Sequence, residues 1–204
     1  PAIYFNNSGD KDKIISIDQW GDIQWESMAI AFFGCSNLTS PATDIPNLSS
    51  VRNCFAMFMR ATSFNGDVSN WDVSNVTNMR NMFAFASSFN SELNAWDVSS
   101  VLRTQGMLFG ASSFNQSLSE WDLSSLGNAD NMLNNTGMSV GNYDATITGW
   151  SNDPSTPDSI ELGADNLVYC NSQSQRNNLV INKGWNIIGD MKDCSSSSNP
   201  FITT

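Results

Sequence analysis

The sequence predicts an α/β solenoid, a stack of coils each built from a short helix and an extended segment and capped at both ends. Three observations predict it. A block of about 25 residues begins at Trp71, again at Trp96 and again at Trp121, and a fixed period in the twenties marks one structural unit per copy. Within a copy Val76, Met79, Met82, Phe83 and Ala86 recur at spacings of three and four, the stripe of one helix face. Between these stripes Phe89, Leu93 and Trp96 lie in polar, turn-rich sequence that suits extended chain.

Taken in order, residues 1–19 hold Ile3-Tyr4-Phe5, a polar turn at 6–10, and Ile14, Ile15 and Ile17. Two short strands forming an N-terminal cap are expected, because an open stack end exposes core and backbone edge. Residues 20–145 form the stack, about five coils starting near 20, 46, 71, 96 and 121. Trp71-Asp72-Val73-Ser74-Asn75-Val76 and Ala86-Ser87-Ser88-Phe89-Asn90 return at 96–101 and 111–115, and more loosely after Trp121. Ser74 or Asn75 stands where a helix N-cap belongs. Columns of Phe64/Phe89/Phe114, Met57/Met82/Met107/Met132 and Trp71/Trp96/Trp121 are expected to make a continuous core, since no coil can bury its apolar face alone. Residues 146–194 form a C-terminal cap: a Pro- and Ser-rich loop at 151–158, short strands at 160–162 and 167–170, a helix over 172–183 stopped by Gly184, and a last strand at 185–188. Residues 195–204 read as a Ser-rich linker and the start of a following module.

Composition narrows function. Nine Lys and Arg against 20 Asp and Glu give a net charge of -11, which argues against nucleic acid and anionic lipid as partners. There is no histidine, so Ser-His-Asp, Cys-His and His-ligated zinc chemistry are excluded. No apolar run reaches the roughly 18–20 residues of a membrane span, and no direct membrane insertion is expected. Paired catalytic carboxylates of the glycosidase kind are not marked out, because the acids come as repeats. No catalytic residue and no obligatory cofactor is expected.

The candidate polar features are columns. Asp72, Asp97 and Asp122 recur in register; each is expected to accept hydrogen bonds from its own following turn. The sharper alternative is a row of calcium sites, with Asp67 and Glu92 supplying further oxygens. Asn65, Asn90 and Asn115 form a second column suited to an amide ladder. The tryptophan row, if exposed, would offer a sugar-stacking platform. Cys170 and Cys194 sit in a small cap with little core, which points to a disulfide. Cys35 and Cys54 fall on core positions of the repeat and are expected to be buried thiols, with a second disulfide as the alternative.

The copies of Trp-Asp-Val-Ser-Asn/Ser-Val … Met-Phe … Ala-Ser-Ser-Phe-Asn resemble the repeat of BspA-like leucine-rich-repeat bacterial surface proteins. The ending is similar to that family's cap in Tyr143-Asp144, Gly149-Trp150, Tyr169-Cys170, Gly184-Trp185 and Lys192-Asp193-Cys194. The resemblance implies an extracellular, cell-surface location and one module of a larger exported protein. Its implied role is adhesion or protein interaction with an unknown cell-surface protein or glycan, alongside neighbouring modules of the same chain. A structural spacer or filament subunit and a carbohydrate-binding module are the alternatives. Asp158-Ser159-Ile160 resembles the Bacteroidetes O-glycosylation pattern, which makes Ser159 a candidate modification site.

Overall fold

The computed structural model describes residues 1–195. Of the Ser-rich linker and following module expected over 195–204, everything beyond residue 195 lies outside the described residues. Successive copies run parallel and side by side. Asn53, Asn78, Arg103 and Asn128 are joined by parallel bridges at intervals of 25 residues, Ala2 pairs with Ser27 in the same sense, and Ala129 pairs with Leu162.

The helix expected in every copy is absent. Over 79–86 the amides of Met79, Asn81, Phe83 and Phe85 donate to the carbonyls of Arg103, Gln105, Met107 and Phe109 in the next copy. The alternate amides, of Met82, Ala84 and Ala86, turn back to Met79, Asn81 and Phe83. An α-helix would bind all of these donors internally. Here the neighbouring copy takes half of them, and the chain advances as linked turns. Such turns still direct positions three and four apart inward, which is why the sequence period looked helical. Left-handed backbone recurs with the pattern at Ala56, Asn81, Gly106 and Asn131, and again at Arg60, Phe85, Gly110 and Asn135.

The core is a set of columns. Phe32, Phe58 and Phe83 stack at 5.3 and 5.6 Å between ring centroids, and Phe64, Phe89 and Phe114 at 6.2 and 6.0 Å. The two columns meet through Phe58–Phe64 and Phe83–Phe89, each 3.9 Å apart. Met57, Met82, Met107 and Met132 are buried beside them. Fully burying each such side chain contributes roughly 1.5–3 kcal/mol.

Both ends differ from expectation. No strand forms in 1–19. Instead Phe5 and Asn7 donate to Ala31 and Phe33, Glu26 donates to Pro1, and Phe5 stacks on Phe32, so this segment is itself the first rung. At the other end α1 (Val140–Asn152) crosses the boundary expected at 145/146. Strands β1 (Glu161–Gly163) and β3 (Asn186–Ile188) pair in parallel, as do β2 (Val168–Tyr169) and β4 (Met191–Lys192). Leu133 and Asn135 donate to Gly163 and Asp165, so the cap continues the stacking of the repeats. The helix expected over 172–183 is divided into α2 (Gln173–Asn177) and a π-helical turn at Asn178–Asn182.

Candidate interaction face

Two outward columns of the turn segments define a groove across the copies. The first is Asn53, Asn78, Arg103 and Asn128; the second, two residues on, is Phe55, Arg80, Gln105 and Asp130. Asparagine at the first column braces its own turn. Asn53 Oδ1 accepts from the Phe55 amide at 3.0 Å and from Asn78 Nδ2 at 3.1 Å. Asn78 and Asn128 accept in the same way from the amides of Arg80 and Asp130. Arg103 interrupts this ladder and replaces an amide with a guanidinium.

The groove opens as two adjoining cavities of about 460 and 390 Å³ that share Arg80 and Gln105. The first is completed by Asn53, Phe55, Asn78 and Arg103. Phe109, Asn81 and Asp130 are on the wall of the second. Arg80 lies over the Phe55 ring and Arg60 over Phe85, each at 5.8 Å, and Phe85 meets Phe109 edge to face at 5.0 Å. Phe85 is 39% exposed. The Gln105 Oε1 acceptor is buried and has no partner within the described protein.

The charge pattern is unusual for so acidic a chain. Lys11, Lys13, Arg176 and Lys183 all sit against carboxylates. Among the described residues Arg52, Arg60, Arg80 and Arg103, together with Lys192 in the C-terminal segment, form no ion pair, and all five are exposed. Nothing in the repeat consensus marks this face. The signal available in the sequence is the crowding of four arginines into 52–103 of a chain with a net charge of -11.

The predicted site residues lie elsewhere. Asp72 and Asp97 each accept from a serine two residues on, through its amide at 3.1 Å and its hydroxyl at 2.6 Å. Asp122 accepts from the Ser124 amide at 2.8 Å, and Asp67 from Ser69 at 2.9 Å. Hydrogen bonds from these serines hold Asp67, Asp72 and Asp122 below the ordinary carboxylate range. Glu92 is exposed. The structure does not gather these five into the calcium row considered from sequence: among the described residues no three acids, cysteines or histidines lie where they could hold one ion. The four aspartates instead accept from the turns that follow them.

Asn65, Asn90 and Asn115 form a ladder in which the first two amide oxygens accept the Asn90 and Asn115 amides at 2.8 Å. The tryptophan row is buried, Trp96 to 3% exposure, so it offers no stacking platform. Cys170 and Cys194 are disulfide-bonded, which suits an oxidising compartment. Cys35 and Cys54 are buried thiols, and burial pushes them up to about 11 and about 12. Ser159 is exposed, in left-handed backbone held by its amide's bond to the Lys183 carbonyl. Among the described residues no helix is long and apolar enough to cross a membrane.

No curated protein and no solved structure matches the chain. A family model does match, over residues 26–150, more than half of the sequence. The chain therefore belongs to the repeat family described as "Mycoplasma protein of unknown function, DUF285".

Proposed function

We propose that this chain is a non-catalytic interaction module of a cell-surface protein of the BspA-like leucine-rich-repeat kind, a capped solenoid that attaches through the outer face of its turn segments. The observation that carries this reading is the groove over Asn53–Gln105, where exposed arginines without carboxylate partners stand over aromatic rings on an otherwise acidic molecule. Desolvating an arginine and an aromatic ring against a partner is a common source of interface energy. An internally redundant surface acting in tandem copies sums weak contacts into firm attachment. Buried tryptophans and turn-bound aspartates leave the other repeat columns to structure.

The reading is tested with a multivalent form of the chain applied to intact cells and to a glycan array, with and without calcium. Saturable, calcium-independent attachment is the expected result. Clean silence from a folded sample would favour a spacer that projects another domain.

A further inference from the structure

We infer that the groove lined by Phe55, Arg80, Arg103 and Gln105 takes a carboxylate-bearing saccharide. The inference rests on the interaction reading above and assigns the chemistry of its partner. Arg80 and Arg103 belong to adjacent copies and line one cavity, and a guanidinium presents a fork of donors that matches a carboxylate. In a chain with 20 acids, neither has an internal anion to neutralise it.

Charge alone would admit any anion, and the rest of the groove is more selective. Gln105 lines both cavities, and its Oε1 is a buried acceptor without a protein partner; turning that amide towards the groove lets an occupant satisfy it with an O–H or N–H donor. Phe55 and Phe109 present apolar ring surface beside the guanidiniums. At the far end stands Asp130, half-buried on the wall of the second cavity. Its carboxylate accepts hydrogen bonds and repels a second anion. The groove thus asks for one carboxylate near Arg80 and Arg103, then an uncharged, hydroxyl-bearing portion reaching towards Gln105 and Asp130. An acidic sugar joined to neutral hydroxyls supplies that sequence of groups. A polypeptide rich in carboxylates brings further negative charge against Asp130.

The test titrates the intact chain with sialyllactose and with a neutral oligosaccharide ending in one glucuronate, each a single carboxylate on uncharged sugar, using neutral dextran and poly-L-glutamate as comparisons at two salt concentrations. At least one carboxylated saccharide is expected to bind, more weakly at high salt, with dextran silent and poly-L-glutamate clearly weaker. Arg80→Gln with Arg103→Gln is expected to weaken binding about tenfold or more. Gln105→Leu leaves the charge intact and is expected to weaken it several-fold. Unchanged circular dichroism checks that these surface variants remain folded. Silence towards both acidic saccharides, equal binding of poly-L-glutamate, or an unaffected double arginine variant would each overturn the inference. A chain silent towards the saccharides that still attaches to cells would overturn this inference alone and leave the interaction role standing.

Discussion

Trp96, Trp121, Trp150 and Trp185 each donate an indole N–H to a backbone carbonyl of the preceding rung: Val68, Leu93, Leu118 and Pro157, at 2.7 to 2.9 Å. The column therefore ties rungs together as well as filling the core, and it runs on past the last regular copy. Trp71 breaks the series. Pro46 holds the corresponding place before it, the Trp71 ring meets Trp20 edge to face at 5.1 Å, and its buried N–H has no partner. A buried donor left unpaired costs about 1–3 kcal/mol, whereas a satisfied hydrogen bond contributes about 1 kcal/mol. Trp71→Phe is thus expected to destabilise the chain less than Trp96→Phe by about 1–2 kcal/mol; urea denaturation of the two variants measures the difference. Left-handed backbone is the other feature decided at single residues. Gly110 has φ +68°, and an added Cβ would lie 2.9 Å from the Phe85 ring. Phe85 and Arg60 carry side chains in the same conformation, held there as their backbone N–H groups donate hydrogen bonds to the Phe109 and Ala84 carbonyls in the next copy.

Among the elements, the turn segment and the C-terminal cap depart most from a regular helix or strand. The cap is organised by buried charge. Asp144 on α1 accepts from the amides of Cys170, Asn171 and Ser172 and from the Ser172 hydroxyl. Burial alone would raise its pKa, but those hydrogen bonds outweigh burial and lower it. Asp190, after β3, pairs with Arg176 of α2 through two contacts of 2.6 and 2.7 Å and accepts from the Tyr143 hydroxyl at 3.0 Å. Its side chain is 1% exposed. Removing the guanidinium would strand a buried carboxylate, so Arg176→Met is expected to cost about 3–5 kcal/mol. A melting temperature within a degree or two of the parent would refute that role. The short strands near 161, 168 and 187 were legible from apolar residues between turn signals. The repeat helix was misread because inward spacing reports which residues face the core and is silent on where the amides go. That choice is made by the neighbouring copy, whose carbonyls lie too far away in sequence for a local pattern to register.

At the scale of the molecule, acid stability follows from the carboxylates. Asp67, Asp72, Asp122 and Asp144 are all lowered from the ordinary value of 3.8. A depressed folded-state pKa means that folding favours the ionised form. The contribution is complete above the unfolded value and is lost as pH falls through it towards the folded one. With no histidine to titrate, the urea midpoint is expected to change little between pH 7 and 5 and to drop at pH 3; a midpoint that rises at pH 3 would contradict this assignment.

The candidate site was the least legible part of the sequence. The tandem pattern advertises Asp72, Asp97 and Asp122 because they repeat, yet their repetition reflects a turn rebuilt in every copy. Arg80 and Arg103 fall in different columns and look like isolated departures from the consensus. Only the 25-residue stacking places them on one cavity, and only the full set of ion pairs shows that neither is neutralised. The groove is lined by what differs between copies, and a 25-residue period averages that away.

The most direct test compares two faces of the same molecule in one cell-attachment assay. One variant replaces Arg60, Arg80 and Arg103 by Gln; the other replaces Asp72, Asp97 and Asp122 by Asn. Loss of attachment in the arginine variant, with attachment kept in the aspartate variant, is the predicted result. Equal attachment by the arginine variant and the parent, or loss confined to the aspartate variant, would contradict the account.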